Sequence, residues 1–212
     1  MMISLLGTIA ANTASGSMLV QQAIVRTINS WPWYVVRGSG LIAAVCLVFL
    51  ILSGIGFITG HTFKFLEPIT AWASHKALGI VLAISVALHI IGLLFDHFVP
   101  FNLINVLVPW SSNYKPVSIF GMNMGSLYVS LGVLAFYMIA LITIYSLLWI
   151  DKKPYSWKLT HLLSYLVFLF VFVHALYLGT DLAGGILRLI WIAIGIGVSI
   201  AIIIRLWRAK TI

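Results

Sequence analysis

Five apolar runs, each long enough to cross about 30 Å of hydrocarbon, constrain this chain most. They are Tyr34 to Thr59, Ser74 to Val99, Gly125 to Ile150, Leu159 to Leu178 and Gly184 to Leu206. Backbone polar groups find no water inside a bilayer, so only helices and closed barrels cross it. Barrel strands alternate apolar and polar residues, whereas these runs are continuous and read as helices. With 62% hydrophobic and 8% charged residues, the chain lacks the charge, roughly a quarter of residues, typical of a soluble domain. The expected fold is an all-α integral membrane protein, a bundle of five transmembrane helices over residues 34–207. A short cytoplasmic tail, 208–212, follows it.

Residues 1–33 form a separate N-terminal segment. The stretch Ile3 to Val25 is uncharged but carries Asn12, Thr13, Ser15, Ser17, Gln21 and Gln22, a poor lipid-facing surface. It lacks the basic start of a secretory signal. Leu19, Val20, Ala23, Ile24 and Ile28 share one helical face, which suits an interfacial helix; a sixth span is the alternative. Pro68 and Pro154 mark breaks before the second and fourth helices, and Pro100, Pro109 and Pro116 fill the loop after the second. Trp31, Trp33, Trp72, Trp110, Trp149, Trp157 and Trp207 lie near run ends, as an interfacial aromatic belt does.

The net charge is +8, but the twelve Lys and Arg are spread through loops. That pattern sets membrane orientation and argues against a nucleic-acid partner. With five spans, eight basic residues fall on one side: Lys64, Lys76, Lys152, Lys153, Lys158, Arg205, Arg208 and Lys210. Four fall on the other: Arg26, Arg37, Lys115 and Arg188. The C-terminus is therefore expected in the cytoplasm, with the protein multi-pass in a cell inner (plasma) membrane. Loops 60–73 and 151–158 are then cytoplasmic, and 100–124 and 179–183 face outward. The single cysteine, Cys46, permits neither an internal disulfide nor a thioether haem attachment.

Histidine inside a membrane span is costly and usually functional. His75 and His89 lie on the second helix, 14 residues apart, and His161 and His174 on the fourth, 13 apart. At about 1.5 Å per residue each pair is separated by roughly 20 Å. The second and fourth helices run parallel, so His75 and His161 share the cytoplasmic level and His89 and His174 the outer one. Two imidazoles from facing helices at one depth are what a six-coordinate haem iron needs. Two levels imply two b haems and an electron route across the bilayer. At about 100° per residue, 13 steps leave His161 and His174 about 140° apart, so the fourth helix must distort or its haems must approach from different sides. His61 and His97 fall near loops and read as interfacial residues.

These residues resemble the ferric reductase-like transmembrane domain shared by ferric reductases and NADPH oxidases. The resemblance covers roughly residues 34–182. It rests on Arg37-Gly38-Ser39-Gly40, on His75-Lys76-Ala77-Leu78-Gly79 with His89 following, on Val108-Pro109-Trp110 and Tyr114-Lys115-Pro116, and on Trp157-Lys158-Leu159-Thr160-His161 with Tyr165, His174 and Gly179-Thr180-Asp181. The paired histidine spacing is its specific part. The resemblance implies that these four histidines carry two b haems. Many members of that family continue into a cytoplasmic FAD and NAD(P)H domain. Here the sequence stops at Ile212 and holds no phosphate-cradling glycine loop after a strand, so the expected donor is a separate flavoprotein or a quinol. A shorter relative, the haem-binding membrane subunit of periplasmic methionine sulfoxide reductase, also lacks the flavin domain. It has a basic residue where His75 stands, so this chain is more similar to the two-haem branch.

Six further residues are candidates for the cofactor site. Arg37, at the outer level, suits haem propionates or an acceptor; the plainer reading is a topology charge. Trp157 and Lys158 precede His161 and suit the inner propionates, or act as a cytoplasmic signal. Phe168, seven residues after His161, can fill the gap between haems or simply pack in the core. Gly79 and Gly92 can admit a porphyrin or serve helix packing. Three functions are carried forward. The first is an oxidoreductase subunit passing electrons from a cytoplasmic-side donor to an external acceptor such as ferric chelate or oxygen. The second is a haem-bearing anchor and conduit for a periplasmic reductase or larger respiratory complex. The third is a transporter or structural membrane subunit without haem.

Overall fold

The computed structural model describes residues 30–96, 99–119, 122–123 and 125–209, with scattered positions between 18 and 27. Five long helices carry the chain: α1 Trp31–Thr59, α2 Pro68–Phe95, α3 Leu127–Leu148, α4 Pro154–Leu178 and α5 Gly185–Ala209. Each is long and apolar enough to cross a membrane, and only 11 to 28% of each apolar window is buried by protein. The remaining apolar surface needs lipid, which explains exposed side chains such as Ile42, Val45 and Phe49 on α1.

Helix starts differ from the expected limits for one reason. Pro32, Pro68 and Pro154 lie in the first turn of α1, α2 and α4, where the missing N–H has no intrahelical use and the fixed φ suits a helix. Pro68 and Pro154 therefore open helices, and α2 and α4 begin six and five residues earlier than their apolar runs suggest. Gly60 ends α1 in the left-handed conformation at φ 74°, a cap that glycine adopts without strain.

Packing is dominated by two antiparallel hairpins, α1 with α2 and α3 with α4, while α5 lies against α1 and α4. Between α2 and α4 no pair of described Cα atoms comes within 8 Å. The core that joins the hairpins comprises Ala43, Cys46, Leu47 and Ile51 of α1, Leu82 of α2, Ala135 and Ile139 of α3, Val167 and Phe168 of α4 and Val198 of α5.

The loop between α2 and α3 contains a five-residue helix, Leu103–Leu107, and a small antiparallel ladder of β1 Ser118–Ile119 with β2 Met122–Asn123. Buried serines anchor it: the Trp110 N–H donates to Ser130 Oγ at 2.7 Å and the Ser126 N–H to Ser112 O at 2.7 Å. The expectation for residues 1–33 lies mostly outside the described residues, as do His97 and Lys210. Those described at 18–27 are helical.

Candidate functional site

Along α2 and α4 the four histidines meet in two pairs. The rings of His75 and His161 have centres 6.2 Å apart, and those of His89 and His174 are 6.4 Å apart. Parallel running of α2 and α4 produces this pairing. The α-helix runs without interruption from Pro154 to Leu178, and regular helical rotation leaves the two positions about 140° apart. Its two imidazoles leave on different sides.

Each ring is oriented by the neighbouring helix of its own hairpin. His89 Nδ1 lies 2.8 Å from Val36 O on α1, and His174 Nδ1 lies 2.8 Å from Tyr128 O on α3. A carbonyl oxygen only accepts, so Nδ1 carries the proton in both rings and Nε2 keeps its lone pair. Four residues beyond each carbonyl stands a glycine. A Cβ on Gly40 would lie 3.1 Å from the His89 ring, and one on Gly132 would lie 2.6 Å from the His174 ring. The two hairpins thus repeat one device: a carbonyl that fixes the imidazole proton and, one turn on, a glycine that lets the ring lie against the helix.

The level of His75 and His161 is less regular. His75 Nδ1 lies 2.9 Å from Ser53 Oγ, whose own hydroxyl has Leu50 O within 3.1 Å. A Cβ on Gly54 would lie 3.7 Å from the His75 ring. Gly40 and Gly54 are 14 residues apart, the spacing of His75 and His89. On α3 the position matching Gly54 is Ser146, and its hydroxyl takes the Trp157 Nε1–H at 3.2 Å. His161 Nδ1 is buried without a partner.

The other candidates are distributed as follows. Arg37 makes a two-pronged ion pair with Asp181, its Nε donating to Oδ2 at 2.6 Å and its Nη2 to Oδ1, and its guanidinium stacks over Trp33 at 4.5 Å. Its charge is therefore already matched by a carboxylate. The Trp157 ring lies 5.2 Å from that of His161, while Lys158 is exposed. Phe168 is 2% exposed, in the core between the two levels. Gly79 faces open space, and a Cβ on Gly92 would meet Val36 at 2.8 Å, so Gly92 serves the packing of α1 on α2. His61 is exposed and bonded to Thr59.

Sequence reading missed Ser53, Gly54 and Gly132, and named Gly40 only within the family resemblance, with no role at the site. The 14-residue glycine spacing on α1 was a usable signal; the carbonyls of Val36 and Tyr128 had none, because every residue has one. Lys115 and Arg188 read as topology charges. In the fold they donate to Tyr177 O and Leu176 O, closing the last turn of α4 just beyond His174.

The two levels have the dimensions of a metal held between imidazoles. An imidazole nitrogen binds such a metal at about 2 Å, and its ring centre lies about 1 Å further, so two opposed rings have centres about 6 Å apart. Among the described residues no three His, Cys, Asp or Glu side chains gather in one place. Each level therefore offers two donors and suits a metal that arrives with its remaining ligands, as haem iron does in its porphyrin. The α2 and α4 backbones stay more than 8 Å apart, and with Nδ1 turned to a carbonyl the Nε2 atoms of His89 and His174 are the available donors.

Fold and site define a multi-pass helical membrane protein with paired histidines at two depths. The family described as ferric reductase like transmembrane component matches residues 39–172, and the chain belongs to it. It is accordingly a membrane electron-transfer component. Comparison with curated proteins and with solved structures returned no match.

Proposed function

We propose that this protein is a membrane cytochrome b that carries electrons across the bilayer through two bis-histidine b haems. The pairing of imidazoles at 6.2 and 6.4 Å on two helices whose backbones stay apart carries the reading. His75 and His161 would hold the inner haem, and His89 and His174 the outer one. When bound, each haem supplies an iron that takes up and releases one electron. The protein's part is orientation and exclusion. Val36 O and Tyr128 O each hold an Nδ1 proton, which fixes the ring and raises the basicity of Nε2, and Ser53 Oγ orients the His75 ring. Phe168, Leu82, Ile139 and Val198 close the space between the levels against water.

The excess of basic residues on the side of Lys152 and Lys153 makes that side cytoplasmic, in a cell inner membrane. Electrons then enter from a flavoprotein or quinol beside His75 and His161. They leave beside His89 and His174 to an external acceptor. A pyridine haemochrome assay on purified protein should approach two b haems per chain. One haem in fully loaded protein would assign one histidine pair another task, and none would leave a membrane subunit without haem.

A further inference from the structure

Among the described residues, two buried side-chain nitrogens have no hydrogen-bond partner: His161 Nδ1 and Arg205 Nε. Both belong to the inner end of the bundle. Arg205 is on α5, and its guanidinium carbon lies 6.0 Å from the ring centre of Tyr165. Tyr165 stands four residues after His161 on α4, one helical turn toward the membrane centre. The Arg205 head group therefore sits at the depth of the inner histidine pair, directed at α4.

A guanidinium at that depth needs an anion. Asp181 is engaged by Arg37 at the opposite end. The face of Tyr165 offers a cation only partial compensation. At the outer level the histidine Nδ1 atoms, Arg37 and Arg188 all have protein partners.

We propose that Arg205 is the partner of an inner-haem propionate and raises the reduction potential of that haem. This assignment rests on the di-haem reading. A positive charge beside the carboxylate offsets its negative charge and favours the reduced iron, which carries one more electron. Arg205, which the sequence presents only as a topology charge, is then a positioning residue for the cofactor.

Redox titration of the purified protein in nanodiscs, followed by haem absorbance, tests this. Arg205→Gln should lower the midpoint of one haem and leave the other in place. Arg205→Lys should recover most of the shift, and Lys152→Gln, an equal loss of charge in an exposed loop, should cause none. The shift should persist in His89→Ala protein and vanish in His75→Ala protein. Unchanged midpoints in Arg205→Gln with two haems bound would overturn the assignment, as would a shift confined to the outer haem. If Arg205→Gln fails to retain haem, Arg205→Lys decides: retention supports the charge role, and equal loss refutes it. A midpoint that follows a change from anionic to neutral lipid, rather than residue 205, would also refute it. Wild-type protein with fewer than two haems would instead overturn the di-haem reading.

Discussion

His174 lies against Gly132 so closely that a Cβ at that position would stand 2.6 Å from its ring. No side chain beyond hydrogen fits there unless the imidazole moves. Moving it breaks the bond from Nδ1 to Tyr128 O, which orients the ring. Gly132→Ala should therefore reduce haem content by about one per chain, since second-shell losses typically weaken metal binding about 10- to 100-fold. Gly54→Ala, whose Cβ has 3.7 Å to His75, should keep both haems. Haem quantitation on the two variants checks the contrast; full content in Gly132→Ala would remove the glycine from the site.

His89 and His174 share one level and His75 and His161 the other. His89→Ala and His174→Ala should each remove the same haem, and the double variant should lose little more. His75→Ala combined with His89→Ala should empty both levels. Groups that act as one unit are non-additive, and separate ones add. Reduced-minus-oxidised spectra of the four single variants and of the His89–His174, His75–His89 and His89–His161 double variants read this directly. Coupling of His89 to His161 would refute the pairing.

Arg37 and Asp181 join the start of α1 to the turn after α4, binding one hairpin to the other at the end nearer His89 and His174. The side chains are 40% and 13% exposed, so solvent weakens the pair. Arg37→Ala and Asp181→Ala should each destabilise only slightly, since exposed ion pairs contribute little, and the double variant by little more than either. Thermal unfolding of the cycle in nanodiscs measures the coupling. Strict additivity would mean the pair contributes nothing.

Phe168 fills the core between the levels at 2% exposure. Phe168→Ala should destabilise by about 3 to 5 kcal/mol, as large-to-small core changes do. Electron transfer between the levels should slow while the haems remain, because no ligand is touched. Flash reduction followed at two wavelengths distinguishes this from loss of haem.

Lys152 and Lys153 follow α3 on the basic side, and Lys115 lies in the loop between α2 and α3. In intact cells an impermeant amine reagent should label Lys115 and spare Lys152 and Lys153. The opposite pattern would invert the topology and exchange the inner and outer levels.

Depth in the membrane was legible in the sequence. A helix advances a constant 1.5 Å per residue, so run lengths and histidine numbering sufficed to give five spans and two levels, and parallel α2 and α4 paired His75 with His161 and His89 with His174. Direction around a helix was not legible. Which neighbour a side chain meets depends on how helices rotate and pack, which no single run encodes. That packing set His89 against Gly40 and His174 against Gly132, turned their Nδ1 protons to Val36 and Tyr128, and matched Arg37 with Asp181, 144 residues away. It also brought Arg205 of α5 over Tyr165 of α4, a contact between two helices that the one-dimensional pattern leaves independent. Sequence determined which residues share a depth; only the tertiary structure, through interhelical packing, decided which of them face each other.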